Sequence, residues 1–219
     1  MYFDFLQNQS LTRLPASSSK TLLGYLALTT PEAIKIPTSP SSIYSPFGVV
    51  KGTKILGVNP IKAARLSEDA FEFGLRHETK EIEKESLRAA GKIPTEKEIT
   101  KMVDKLDMSE AAKKELTETI EERLIADYLV LKEDPRMVKG WMEESEDVIR
   151  HVNNMYILPK GEVYIKTNLP ELAYIKALNL PSDNFVRKEA DEFISNLSSN
   201  NKKEFDAIFA AMREVLSYV

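Results

Sequence analysis

The apolar and polar positions of this chain follow different patterns before and after residue 60. From residue 61 onward, apolar residues recur every three or four positions, which places them on one face of an α-helix. Before it, short apolar runs alternate with turn residues, and six of the chain's 11 prolines lie there. The pattern predicts a strand-and-turn region over residues 1–60 and a helical body over residues 61–219.

Within the N-terminal region, the clearest local signal is a β-hairpin. Residues 47–50 and 53–58 are apolar runs that flank Lys51-Gly52, a spacing that favours two antiparallel strands. The proline-rich residues 29–46 should be extended or turn-like, because proline cannot continue a helix.

Start and stop signals divide the body into helices. Thr95 and Glu98 form a capping-box pattern, Asp134-Pro135 is typical of a helix start, and Gly91 is typical of a helix end. The predicted helices cover residues 61–90, a short stretch from Thr95, and residues 109–133, 135–157, 170–178, 183–198 and 202–218.

Two further predictions concern the C-terminal part. Residues 162–167 alternate between polar and apolar side chains, which predicts a half-buried strand. The last two helices should pair as an antiparallel hairpin, since only a short polar linker separates them.

These elements predict an α+β, mainly α fold. It should contain a helical body of about seven helices, a small N-terminal β or irregular region and one later strand. The predicted core residues are Ile99, Val103, Leu116, Ile120, Val148, Val152, Phe193, Ile194, Phe209 and Met212.

Composition narrows the possible functions. The chain has 219 residues, a formal net charge of −4 and no cysteine, which excludes disulfides, thiolate metal sites and a cysteine nucleophile. The slight acidic excess argues against a dedicated duplex-binding domain, although binding of single-stranded nucleic acid stays open. The N-terminus lacks a secretory pattern and no long apolar run occurs, so we expect a cytoplasmic protein without a membrane partner.

Two pairs of acidic residues are the strongest candidates for chemistry. Glu118 and Glu121 stand one helical turn apart, as do Glu144 and Asp147 on the next predicted helix. If these helices pack antiparallel, the four carboxylates could converge on Mg²⁺ and hold a polyphosphate substrate through the metal. Metal-bound water would then be the nucleophile.

The segment from Glu143 to Ile149 resembles the second acidic motif of the all-α nucleoside-triphosphate pyrophosphatases. Glu118 and Glu121 would correspond to the first motif of that family. The resemblance implies two paired-acid helices that coordinate magnesium and cleave a nucleoside triphosphate to a monophosphate and pyrophosphate.

Each of these patterns also has a structural interpretation. The acids alternate with Lys and Arg, as they do on solvent-facing helix surfaces. His77 and His151 each stand beside carboxylates, but one histidine per helix supplies too few ligands for zinc or iron unless the two helices meet. Trp141 lies in an apolar stripe, which assigns it to a core or an interface rather than to base stacking.

The leading functional hypothesis is a non-enzymatic structural, assembly or adaptor protein, of viral, phage or mobile-element origin. The apolar run over residues 21–28 and the proline-rich arm suit docking on a copy of the chain or on another protein. The first alternative is a Mg²⁺-dependent pyrophosphatase that uses the paired acids. The second is a protein that binds single-stranded nucleic acid.

Overall fold

A computed structural model describes residues 33–35, 46–49, 55–59, 63–144 and 161–219. For residues 33–35, 144 and 161–168 it describes the backbone alone. The predicted apolar run 21–28 and the predicted core residues Val148 and Val152 therefore lie outside the described side chains.

The fold is mainly helical with a small β-sheet, as predicted. The strands are β1 (Ala33–Lys35), β2 (Phe47–Val49) and β3 (Ile55–Val58). The helices are α1 (Glu68–Ala89), α2 (Glu96–Asp104), α3 (Glu110–Thr119), a π-turn (Ile120–Leu124), α4 (Ile125–Glu133), a 3₁₀ turn (Pro135–Met137), α5 (Val138–Glu144), α6 (Gly161–Ala177), α7 (Phe185–Ser195) and α8 (Ser199–Leu216). With α3, the π-turn and α4 counted as one continuous helix, the described ranges hold seven helices.

The chain forms two compact units. The first comprises the described residues up to 86 together with residues 130–144, and the second comprises residues 87–129 and 161–219.

The sheet of the first unit confirms the predicted hairpin. Its strand order is β1-β3-β2, with β2 antiparallel to β3 and Phe47 opposite Val58. Strand β1 joins the other side of β3 in parallel, with Ala33 opposite Ile55. The Asn59 N–H donates to the Pro46 carbonyl oxygen at 2.8 Å next to the hairpin ladder.

Helix α1 covers this sheet with aromatic and aliphatic side chains. The Phe71 and Phe47 rings meet edge to face, with centroids 5.1 Å apart. Edge-to-face packing is the favoured arrangement of two aromatic rings. The apolar core of this region consists of Phe47, Leu56, Val58, Ala63, Phe71 and Leu75.

Glycine allows α5 to approach the backbone of α1 in the same unit. A Cβ atom placed on Gly140 would lie 2.1 Å from the Asp69 carbonyl oxygen and 2.7 Å from the Phe73 Cβ. The Lys139 ammonium forms an ion pair with the Asp69 carboxylate beside this contact. The close packing of α5 on α1 therefore depends on glycine, which has no side chain, at residue 140.

Replacing Gly140 with Ala should destabilise the protein, because the new methyl group would push against backbone and Cβ atoms that cannot move independently. We expect a loss of about 1–3 kcal/mol in the free energy of unfolding, measured by chemical denaturation. The intrinsic helix preference for Ala acts in the opposite direction, by about 1 kcal/mol. A more stable Gly140→Ala protein would show that the helices do not meet here.

Gly91 provides the control for backbone strain without a packing clash. Its φ is +65°, and a Cβ atom there would meet nothing within 4 Å. Gly91→Ala should cost about 1–2 kcal/mol through backbone strain alone. Gly91→Asn should cost less, because Asn adopts left-handed φ values more readily. Gly140→Asn should not be less costly than Gly140→Ala, because its Cβ atom would meet the same atoms of α1.

Asp134 joins the turn after α4 to α1, and it acts as both cap and ion-pair partner. Its Oδ1 accepts from the Arg136 N–H at 3.1 Å, which confirms the predicted cap before Pro135. Its Oδ2 lies 2.8 Å from the Arg136 guanidinium and 3.6 Å from that of Arg76 on α1. The hydrogen bonds from Arg136, supported by the charge of Arg76, lower the pKa of the Asp134 carboxyl to about 2.

The charge of Asp134 should make the free energy of unfolding depend on pH. An aspartate has a pKa of about 3.9 in an unfolded chain, higher than the value of about 2 for Asp134 in the folded protein. Ionised Asp134 therefore stabilises the folded state, and this contribution is complete above about pH 4. We expect Asp134→Asn, which keeps the cap, to cost about 1–2 kcal/mol at pH 7 after allowance for the exposed Arg136 partner.

The cost of Asp134→Asn should shrink as the pH falls from about 4 to about 2, because the unfolded chain then takes up a proton at Asp134 that the folded protein binds only near pH 2. Urea denaturation over this range measures the difference. Asp104→Asn, at an exposed position of α2, serves as the control. A cost that stays constant down to pH 2 would contradict the assignment of this charge.

In the second unit, α6 is central. It packs against α3, the π-turn, α7 and α8. The second part of α6 and the turn after it are largely buried. Their buried apolar side chains are Leu169, Leu172, Ala173, Tyr174, Ile175, Ala177, Leu178 and Leu180. A helix that is apolar on every side needs neighbours on every side.

The predicted strand over residues 162–167 is wrong. The segment is the first part of α6, which begins at Gly161 and continues through Pro170. The alternating pattern favours a strand locally, but packing of α6 against α8 outweighs that preference. Pro170 removes one backbone hydrogen bond without ending the helix.

The predicted hairpin of the last two helices is also wrong. Both α7 and α8 pack mainly on α6 rather than on each other in the described ranges. Five of the predicted core residues are buried: Ile99, Val103, Leu116, Ile120 and Met212. Phe193, Ile194 and Phe209, which the hairpin would have covered, are only half-buried.

Candidate functional site

The predicted acids of the first pair have different surroundings. The Glu118 side chain is 55% exposed and lies 3.7 Å from the Lys114 ammonium. The Glu121 side chain is 12% exposed and pairs with the Arg88 guanidinium. Glu121 lies in the π-turn that begins at Ile120, where the helix is wider than an α-helix.

The second acidic pair lies at the limit of the described residues. Glu144 is the last residue of α5, and its side chain is outside the described part. Asp147 also lies outside it. The convergence of Glu118, Glu121, Glu144 and Asp147 on Mg²⁺ stays a prediction. Among the described residues, no three His, Asp or Glu side chains are grouped so that they could hold a metal ion.

His77 lies on α1 beside an aromatic ring and two carboxyl groups. Its ring centroid is 6.3 Å from that of Phe73. Burial raises the pKa of the neighbouring Glu78 carboxyl, with Glu81 acting in the same direction and His77 opposing both. His151 lies outside the described residues, so a site formed by both histidines stays untested.

Trp141 is a core residue, as predicted. Its side chain is fully buried in the first unit. A base could not stack on this ring without opening the fold.

A buried polar network that the sequence patterns did not reveal lies in the second unit. The Tyr174 hydroxyl on α6 donates to the Asp127 carboxylate on α4. Arg123, in the π-turn, forms two hydrogen bonds to the Glu171 carboxylate, at 3.0 and 3.2 Å. The Arg123 guanidinium carbon lies 4.4 Å from the Tyr174 ring centroid, a cation–π distance.

The electrostatics of this network fix the ionisation states of Tyr174 and Arg123. Burial raises the pKa of the Tyr174 hydroxyl well above its usual value, and the Asp127 carboxylate adds to the rise. Burial tends to lower the pKa of Arg123, but its interactions with Tyr174, Glu171 and Asp127 raise it overall. The network therefore has a neutral tyrosine and a permanent cation, which suits a structural connection better than proton transfer.

Tyr174→Phe tests the contribution of this network. It removes the donor to Asp127 while keeping the ring, so a buried carboxylate loses one hydrogen bond. We expect the free energy of unfolding to fall by about 1–3 kcal/mol in chemical denaturation. Tyr218→Phe, at a site that is 52% exposed, should change little. Equal effects of the two changes would contradict the buried hydrogen bond.

Spacing could have suggested the network. Arg123 and Asp127 stand four residues apart, and Glu171 and Tyr174 three apart, so each pair shares a helix face. Spacing does not show that these two faces meet, because the contacts join residues 47 or 48 positions apart.

Helix α7 and the turn after it carry apolar side chains that the unit does not fully cover. Val186 and Ala190 are buried, whereas Phe193, Ile194 and Leu197 are half-buried. We call these last three the α7 apolar surface. Phe185, the first residue of α7, is 44% exposed.

We compared the chain with known protein families, curated proteins and solved structures. No protein-family model, curated protein or solved structure matches this chain. The resemblance to the pyrophosphatases therefore stays a prediction from sequence. Within the described ranges, every helix is too short or too polar to cross a lipid bilayer.

Proposed function

We propose that this protein works through protein–protein contacts, as a structural, assembly or adaptor protein. The observation that supports the proposal best is the combination of the α7 apolar surface with the exposed Phe185 on the same helix. A cytoplasmic location and an origin in a virus, phage or mobile element belong to the same proposal.

The energetic argument concerns incompletely buried apolar area. Each square ångström of apolar surface removed from water contributes about 25 cal/mol, so covering part of an aromatic or aliphatic side chain yields about 1 kcal/mol. Aromatic residues are enriched in the centres of protein interfaces. A partner that covers the α7 apolar surface would gain several such contributions.

The carboxylates support the proposal in a different way. The Glu121 carboxylate forms an ion pair with Arg88, and that of Glu171 with Arg123. These acids contribute to the packing of the second unit. Recruiting Glu121 to Mg²⁺ would require it to exchange a nearby cation for the metal.

Variants of α7 test the proposal in the full-length chain. We expect sedimentation equilibrium to give a mass above the 24.8 kDa of one chain, or a stoichiometric complex with a protein partner. Phe185→Ser and Phe193→Ser should each weaken that association about fivefold, the equivalent of about 1 kcal/mol. Lys188→Ser, at an exposed position of the same helix, should leave it unchanged.

Three results would contradict the proposal. The first is a strict monomer that forms no stoichiometric complex. The second is stabilisation by Mg²⁺ with a nucleoside triphosphate that is lost in Glu121→Gln and Asp147→Asn, which would favour the pyrophosphatase alternative. The third is a salt-sensitive mobility shift with single-stranded nucleic acid, which would favour the second alternative.

A further inference from the structure

A small depression lies between the C-terminal end of α6 and helix α7. Its polar lining consists of Lys176, Asn179, Arg187 and Asp191. The empty space measures about 230 Å³ with its open mouth included. Most of that space is open solvent, and the enclosed part is little larger than a water molecule, so the depression suits the end of a single side chain rather than a free cofactor.

The depression has more positive than negative charge. The Asp191 carboxylate lies 2.6 Å from the Lys176 ammonium and 3.6 Å from the Arg187 Nε. Two cations therefore share one carboxylate, which leaves the lining with a net charge of +1. The three side chains are between 30% and 39% exposed, so an incoming group can reach them.

Both cations are held in place by the fold. Arg187 donates to the Leu180 carbonyl oxygen as well as facing Asp191. Asn179 has a φ of +52°, which turns the chain sharply at the end of α6 and sets the rim. A lysine ammonium has three N–H donors and a guanidinium has five, so the contacts to Asp191 and Leu180 leave donors for another acceptor.

The rest of the lining is apolar, and part of it belongs to the helix that carries the α7 apolar surface. Ile175, Leu180 and Ala190 complete the lining. Ile194 stands four residues after Ala190 and three after Asp191, so it lies one turn further along the same face of α7. The positively charged depression and the α7 apolar surface are therefore neighbours along α7.

We infer that this depression accepts the carboxylate of an Asp or Glu side chain from the protein partner, with a neighbouring apolar residue of the partner covering Ile194. The inference rests on the proposed function and specifies the chemistry of the partner. Charge complementarity at an interface mainly sets orientation and specificity, while apolar burial supplies most of the affinity.

The test uses the full-length ¹⁵N-labelled protein and two short peptides. The probes are acetyl-Leu-Glu-Leu-amide and its neutral counterpart acetyl-Leu-Gln-Leu-amide, titrated at low salt. We expect saturable shifts of the backbone amides of residues 176, 179 and 187 with the acidic peptide, in the millimolar range. The neutral peptide should bind at least twofold more weakly.

Two charge variants distinguish binding of the peptide carboxylate from a purely structural role of the ion pair, because their expected effects on affinity are opposite. Lys176→Gln should weaken binding of the acidic peptide about two- to fivefold, and Asp191→Asn should strengthen it by a similar factor. Lys188→Gln, which removes a charge from an exposed position of α7 outside the depression, is the matched control. Thermal unfolding checks that the variants stay folded.

The inference is overturned if neither peptide produces saturable shifts, if both bind equally, or if Lys176→Gln and Asp191→Asn change affinity in the same direction. It is also overturned if acetate or inorganic phosphate displaces the peptide at equal concentration, because the site would then be a simple anion site. Association that depends on Phe185 and Phe193 can persist in any of these cases, so the proposed function is tested separately.

Discussion

The second unit depends on the requirement that every polar group of its central helix be satisfied. From Leu169 onward α6 is buried on nearly all sides, and a buried polar group without a partner costs about 1–3 kcal/mol. Each polar side chain of this stretch reaches a charged group on a different segment. In chain order the pairs are Glu171 with Arg123 of the π-turn, Tyr174 with Asp127 of α4, and Lys176 with Asp191 of α7. Apolar burial brings the helices together, and these pairs connect α6 to the π-turn, α4 and α7.

Elements whose signals are local could be predicted from the sequence. The capping box of Thr95 and Glu98 forms as expected, with both reciprocal hydrogen bonds present. Gly91 adopts a left-handed conformation after α1, and Asp134 caps the turn at Pro135. In each case a few neighbouring residues determine the hydrogen bonds, so no knowledge of distant contacts is needed.

The errors occur where distant contacts decide the outcome. Residues 162–167 have a strand-like alternation, yet they form the first part of α6, a helix that packs against α8. The acidic pairs are a separate case, because the convergence of the four acids stays a prediction. Spacing could not show that Glu121 lies in the π-turn and pairs with Arg88. The network around Tyr174 was missed for a related reason, since its pairs join residues 47 or 48 positions apart.

The packing of α8 on α6 instead of on α7 explains why α7 has an apolar surface. Phe193 and Ile194 have the spacing of residues that pack against a following helix, and the sequence assigns them to a hairpin with α8. Because α6 takes up the packing surface of α8, these side chains are left half-buried. A surface that is apolar because its expected neighbour packs elsewhere still favours association with another apolar surface. That surface begins one helical turn beyond a depression with excess positive charge, so a partner with adjacent apolar and acidic side chains would match both features.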